Sequence, residues 1–323
     1  MSVRRRLLRA LGLVLIAPAL RAAAQPRRLP RVGVLAATAM TPALRAAFLA
    51  GLRDHGYADG TNVVLEWRAA EGRIDRSDAL AAELVKQKVD VIVALLTPAA
   101  QAARRATTTI PIVMAGVGDP LGTGLVSSLA RPGGNVTGVS AASAETSGKR
   151  IGLLRELVPG LKRLGLLING ADPFSRPFVE EAREPAKRAG MELHIEDARQ
   201  PGDFARAFAA MKKAGVGAVL VQGVLLIAPK AVADEALRQG LPAASPMRQF
   251  ALDGGLMSYG ADFRALVRSS ASYVDKLLKG ANPAELPVEQ PTEFELVINR
   301  GTARKLGLAI PPELLVRADE VID

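Results

Sequence analysis

The sequence predicts an α/β protein built as two similar, doubly wound parallel-sheet lobes joined by a three-strand hinge. Three observations carry this. Short, continuous apolar runs alternate with longer amphipathic stretches, as strands do when helices bury both faces of a sheet. The order of the first half returns in the second, so Arg31-Val32-Gly33-Val34-Leu35 has its counterpart in Arg163-Leu164-Gly165-Leu166-Leu167. Pro42, Pro98, Pro173 and Pro229 stand at equivalent points, each just after an apolar run and in the first turn of the next helix.

The first half opens with an apolar strand over residues 31–36. Thr41 caps a helix that starts at Pro42 and ends at His55-Gly56, where glycine can take the left-handed conformation. A strand over 62–67 precedes an amphipathic helix over 75–88, whose apolar face carries Leu80, Leu84 and Val85. An apolar strand follows at 90–95, and Thr97-Pro98 opens a helix that runs through Arg105. A fourth strand is expected at 110–114, then a loop with a short helix, then a fifth strand at 136–140. The second half repeats the order. A strand at 163–168 leads to a helix from Asp172-Pro173 to Ala189-Gly190, a strand at 191–196, a helix at 202–214, an apolar strand at 217–222 and a helix from Ala228-Pro229 to Gln239-Gly240.

The last third departs from the repeat: a glycine-flanked strand at 254–260, a long amphipathic helix at 262–279, a strand at 293–298 and a tail with Pro311-Pro312. A chain that returns to the first lobe and crosses again makes three crossovers, a hinge stiffer than one linker yet able to bend. The expected division is 1–24 as signal peptide, 25–141 plus 256–284 as lobe one, and 142–255 plus 285–323 as lobe two.

Composition narrows the function. Apolar residues make up 49% of the chain but aromatics only 4%, so Ala, Leu and Val must build the cores. Arg4, Arg5, Arg6 and Arg9 begin an apolar stretch over 7–20 that Ala22-Ala23-Ala24 closes. This is the pattern of an export signal cut before Gln25, with the periplasm as destination; the twin-arginine and general secretory routes both fit. Cleavage there removes five arginines and no acid, taking the net charge from +10 to +5. That balance calls for no nucleic-acid partner, and no aromatics interleave with clustered bases. The absence of cysteine excludes disulfides, a thiolate nucleophile and a lipid-anchored N-terminal cysteine. His55 and His194, the only two histidines, make no metal site, and no cofactor is expected.

The prolines direct attention to one edge. Helices that start at the carboxyl ends of parallel strands point unpaired N–H groups toward the edge where open α/β sheets bind ligands. Two lobes facing each other would aim these helix ends at one cleft, which favours a carboxylate or another anion. The candidate contacts are therefore Ala37, Thr38, Thr97, Gly116, Asn169, Gln222 and Tyr259, with Ser140 at the first crossover. Thr97 and the N–H groups after it suit a carboxylate, and Asn169 and Gln222 offer polar contacts from the other lobe. Tyr259 either stacks on an apolar ligand group or packs at the hinge. Asp119 either faces the cleft or serves its turn, and Arg248 and Asp253 either touch ligand or pair within the protein.

Other motifs fail on context. The glycines from Gly116 to Gly124 do not follow the first strand, as a dinucleotide loop would. Ser147-Gly148-Lys149 lacks the glycine that a phosphate loop needs five residues before Gly148, where Ser143 stands. Ser140 sits in Gly138-Val139-Ser140-Ala141-Ala142, without the closing glycine of a nucleophile elbow.

Several longer stretches resemble one family. They are Ala130-Arg131-Pro132-Gly133-Gly134-Asn135-Val136-Thr137-Gly138, Leu153-Leu154-Arg155-Glu156-Leu157-Val158-Pro159, Gly254-Gly255-Leu256-Met257-Ser258-Tyr259-Gly260, Tyr273-Val274-Asp275-Lys276, Leu286-Pro287-Val288-Glu289-Gln290-Pro291-Thr292 and Arg317-Ala318-Asp319-Glu320-Val321-Ile322. Together they resemble the periplasmic solute-binding proteins of ABC transporters, type I fold, in the family with tryptophan- and phenylalanine-binding members. The resemblance spans nearly the whole mature chain. It implies a monomeric two-lobed receptor that closes on a small solute and docks on an ABC permease. One departure bears on the solute. The family often carries an acid after the strand that ends near Gln222, whereas Gly223-Val224-Leu225-Leu226 stands here and offers no acid to a ligand amine.

The expected function is capture of a small, carboxylate-bearing solute, such as an amino acid, for an ABC importer. An exported sensory ligand-binding protein is one alternative. An exported α/β enzyme is another, though it lacks a nucleophile–base pair, a metal cluster and a cofactor fingerprint.

Overall fold

The computed structural model describes residues 28–323. The signal-peptide expectation for 1–24 lies outside them. The first lobe is formed by β1 (Arg31–Ala36), α1 (Pro42–Asp54), β2 (Val64–Ala69), α2 (Ser77–Lys86), β3 (Val91–Leu95), α3 (Leu96–Ala106), β4 (Ile112–Val117) and β5 (Val136–Ser140). Its sheet runs β2-β1-β3-β4-β5, with every pair parallel. β3, β4 and β5 are buried at every position, which explains why they read as unbroken apolar runs.

The second lobe follows with α4 (Ser143–Leu157), β6 (Arg163–Ile168), α5 (Ser175–Arg188), β7 (Glu192–Asp197), α6 (Phe204–Lys213), β8 (Ala218–Val221), α7 (Pro229–Arg238), β9 (Ala243–Ser245), α8 (Arg248–Leu252) and β10 (Met257–Gly260). Then come α9 (Phe263–Leu278), β11 (Glu295–Asn299), α10 (Arg300–Lys305), α11 (Pro312–Arg317) and β12 (Glu320–Ile322). The second sheet runs β12-β11-β10-β9-β8-β6-β7. Its stretch β7-β6-β8-β9-β10 has the same winding as β2-β1-β3-β4-β5, so the repeat is one of topology. β10 is the fifth strand of the second repeat and the equivalent of β5. The departure starts one element later than the sequence suggests, with α9 and the antiparallel strand β11.

This shifts the lobe boundaries. β10 pairs with β9 and β11 and so stays in the second sheet, although a return at 256 was expected to place it in the first lobe. α9 then packs against α1, where a Cβ on Gly51 would lie 2.2 Å from the Arg268 carbonyl oxygen. The chain stays with the first lobe through Glu289: the Val288 N–H donates to the Leu129 carbonyl, and Glu289 bridges to Gly138 and Ser140 of β5. It re-enters the second sheet at β11. The three crossovers therefore follow Ser140, Gly260 and Glu289.

Local chemistry explains the helix starts. Pro42 and Pro229 occupy the first residue of their helices, and the Thr41 hydroxyl accepts the Leu44 N–H at 3.3 Å. Pro98 is the third residue of α3, and Pro173 lies in the turn before α5. The short helix expected between β4 and β5 does not form. Asp119 instead turns the chain by accepting the Leu121 and Gly122 N–H groups, at 3.0 and 2.8 Å. β9 is only Ala243-Ala244-Ser245, too short and too small to show as an apolar run.

Candidate ligand-binding cleft

The lobes meet over a narrow cleft of about 50 Å³, open to solvent at its mouth. Its first-lobe wall includes Leu96, Thr97, Gly116 and Gly118, and its floor is the crossover residues Ala141, Gly260 and Ala261. The cleft stands closed. The Phe174 ring of the second lobe lies 2.6 Å from where a Cβ on Gly118 would be, and Ile227 comes within 2.3 Å of one on Gly72. Ile74 of the first lobe packs into the second lobe's core.

Two buried ionisable groups of opposite sign line this cleft. Arg150 is 1% exposed. Its Nη1 donates to Thr146 Oγ1 at 2.9 Å and to the Tyr259 carbonyl at 3.1 Å. Its Nη2 donates to the Ser143 carbonyl at 3.2 Å and to Ser147 Oγ at 3.0 Å. Its Nε has no partner, and it makes no ion pair with the described residues. Burial pushes the guanidinium down to about 10, against the pull of Glu181 and Tyr259. A buried cation without a counter-ion is costly unless an anion arrives from outside.

Asp172, in the turn between β6 and α5, supplies the opposite charge. One oxygen accepts the Phe174 N–H at 2.9 Å and the other accepts Gln222 Nε2 at 2.9 Å. Burial pushes its carboxyl up to about 7, opposed by the Phe174 N–H. A ligand ammonium beside it would favour the charged form. The remaining walls are apolar: Leu96, Phe174, Phe178, Val224, Met247 and Phe263.

A second acid, half-buried, stands behind Arg150. Glu181 on α5 accepts the Ser147 hydroxyl at 3.4 Å, while its Oε1 has no partner. Burial pushes it up to about 8, with Asp119 of the first lobe adding to the shift and Arg150 opposing it. Asp172 and Glu181 therefore hold protons more tightly in the folded protein than in the unfolded chain, where they titrate near 3.8 and 4.5. Their protonated forms stabilise the fold fully below about pH 4. That contribution fades as pH rises through about 7 for Asp172 and about 8 for Glu181. The protein should lose on the order of 5 kcal/mol between pH 5 and 8.5. Urea midpoints measured across that range should flatten in Asp172→Asn and Glu181→Gln; an unchanged slope in both would contradict the assignment.

The structure brings only part of the expected set to the cleft. Thr97 and Gly116 line its deep part, and the Thr97 hydroxyl accepts the Gly118 N–H at 3.4 Å. Thr38 lines an outer chamber. Ala37 is core, its N–H donating to the Leu95 carbonyl. Ser140 is enclosed at the crossover, where its hydroxyl accepts the Ala142 N–H at 3.0 Å. Asn169 and Gln222 are occupied with one another and with Asp172: the Asn169 N–H donates to Gln222 Oε1 at 2.8 Å. They hold the acid in place and do not line the cleft. Tyr259 stacks on Phe294, ring centroids 6.0 Å apart, along a groove formed with the last crossover; its carbonyl, not its ring, meets Arg150. Arg248 pairs with Glu295 and Glu320.

The sequence reading missed Arg150 and used Asp172 only as a helix opener. A signal for Arg150 was present. Ser143, Thr146, Ser147 and Arg150 recur at helical spacing, so α4 carries a polar stripe. All four are buried.

Two repeats of one winding, three adjacent crossovers and a closed cleft holding unanswered charge define a two-lobed receptor that shuts on a small solute. The model of the family described as ABC transporter substrate binding protein matches residues 34–322, and the chain belongs to that family. A conserved domain protein of Vibrio cholerae superposes with a TM-score of 0.85 at 29% identity, covering 91% of this chain and 100% of that one. An ABC domain from Streptococcus pneumonia, solved in complex with L-Trp, superposes at 0.83 with 29% identity and the same coverages. A tyrosine-binding protein of Clostridioides difficile strain R20291 is 29% identical over 262 residues, 81% of this chain and 75% of that one. The fold is that of the type I periplasmic binding proteins.

Proposed function

We propose that this chain captures a free amino acid with a large apolar or aromatic side chain and delivers it to an ABC permease. The carrying observation is the pair of buried groups, Arg150 with an unanswered Nε–H and Asp172 with a raised pKa, lining one apolar cleft. An α-carboxylate answers the first and an α-ammonium the second. Phe174, Phe178 and Phe263 then surround the side chain. The L-Trp complex and the tyrosine-binding relative support a ligand of this kind. Contacts to both lobes exist only in the closed form, so ligand shifts the population toward closure. The protein works as an exported, non-enzymatic monomer in the periplasm after loss of residues 1–24.

Thermal and urea unfolding of residues 25–323 with the free amino acids tests this. L-Trp, L-Tyr or L-Phe at 100 times its dissociation constant should add ~2.7 kcal/mol. Tryptamine, which lacks the carboxylate, and indole-3-propionate, which lacks the amine, should add far less. Stabilisation by no amino acid, or equal stabilisation by these two analogues, refutes the reading.

A further inference from the structure

We propose that the amino-acid site has a second, apolar chamber that receives the far end of a side chain longer than that of tryptophan or tyrosine. The proposal rests on the amino-acid reading above. Beyond the deep cleft lies a space of about 490 Å³, partly open to solvent. Gly223, Met247 and Phe263 line both spaces, so the two adjoin, with these residues forming the neck between them.

The chamber selects by chemistry. Leu44 of the first lobe faces Leu226, Ile227 and Leu252 of the second across it. Leu252 is left 39% exposed, one of few large apolar side chains so exposed among the described residues. The charged groups at its rim are answered within the protein: Arg248 by Glu295 and Glu320, and Arg264 by Asp262 at 3.8 Å. No unpaired charge is left to hold an ionic group, so the occupant is neutral and apolar. Both lobes supply walls, and an occupant there adds contacts that exist only on closure.

A ring passes the neck only if Met247 moves, because the room beside Gly223 is too small even for a methyl group at ordinary contact distance. Gly223 has no side chain, and a Cβ there would already come within 3.3 Å of Met247 Cε. Met247 is unbranched and can re-pack around a passing ring. Each methylene buried beyond the neck should tighten binding about fourfold.

The probe is 4-benzoyl-L-phenylalanine, which carries a second ring on the para position and cross-links on irradiation. Calorimetry on residues 25–323 should find it within tenfold of L-phenylalanine or tighter. Irradiation followed by peptide mass spectrometry should place the cross-link on Leu226, Ile227, Met247 or Leu252. Leu226→Trp fills the chamber beyond the neck. It should weaken the benzoyl compound at least tenfold relative to L-phenylalanine and leave L-phenylalanine within twofold. Binding of L-phenylalanine without the benzoyl compound, or cross-links elsewhere, overturns the chamber alone. Binding of neither, with no other amino acid bound, overturns the amino-acid site and the chamber with it.

Discussion

Replacing Arg150 with methionine should abolish amino-acid binding while leaving the ligand-free protein close to its original stability. The two effects have one cause. The guanidinium is 1% exposed, its pKa is lowered to about 10 and its Nε is unpartnered. Desolvation of that charge offsets much of what its hydrogen bonds to Ser143, Thr146, Ser147 and Tyr259 contribute. Removing it should therefore change unfolding by only about 1 kcal/mol in either direction. With ligand bound the balance reverses. The carboxylate loses charge-assisted hydrogen bonds of ~1.5–3 kcal/mol. It is also left unpaired in a closed cleft, which brings the total to about 3–4 kcal/mol, a 100- to 1,000-fold loss of affinity. Calorimetry and urea unfolding on the same preparation separate the cases. A purely structural arginine would give the opposite result, a large stability loss with affinity retained in whatever protein remains folded.

Gly138→Ala should be the most damaging single methyl group in the hinge, lowering stability by about 4 kcal/mol. Gly138 sits in β5 with φ of +126°, a conformation that L side chains rarely adopt. A Cβ there would lie 2.3 Å from the Met114 carbonyl oxygen, a backbone atom of β4. β4 cannot retreat, because it is paired with β3 on one side and β5 on the other. The Gly138 carbonyl also accepts the Glu289 N–H at 3.0 Å, so the strain reaches the last crossover. Gly134→Ala, four residues away with nothing within 4 Å of the new methyl, is the control and should stay within about 0.5 kcal/mol. Urea midpoints for the two variants give the comparison; equal midpoints would show that β5 absorbs the methyl group.

These two residues also mark how differently parts of the molecule can be read. Gly138 belongs to the stretch from Ala130 to Ser140, whose glycines and proline already marked a crossover in the sequence. Its place in that stretch is legible locally, but the demand for glycine is made by β4, whose Met114 carbonyl lies against it. Arg150 is different. Its neighbours in sequence, Lys149 and Ile151, do not tell a buried guanidinium from a solvated one. Only the arrival of β10, over a hundred residues later, places the Tyr259 carbonyl against it and closes water out. Asp172 is a similar case: as the residue before Pro173 it reads as a helix opener, and its buried partner Gln222 is fifty residues away. The return to the first lobe was misplaced for the same reason. β10 is apolar and glycine-flanked wherever it lies, and its sheet is decided by pairing with β9 and β11.

The sequence by itself determined the α/β class, the two repeats, most strands and helices and the family. The first three follow from periodicity and from capping or turn residues within a few positions of one another, and the family from the resemblance of longer stretches. Tertiary structure alone decided which side chains are sealed into the cleft and which, like Asn169 and Gln222, are occupied in supporting it. The physical reason is that burial of charge depends on removing water from every side. In this protein the enclosing atoms come from two lobes and three crossovers that are far apart in the chain.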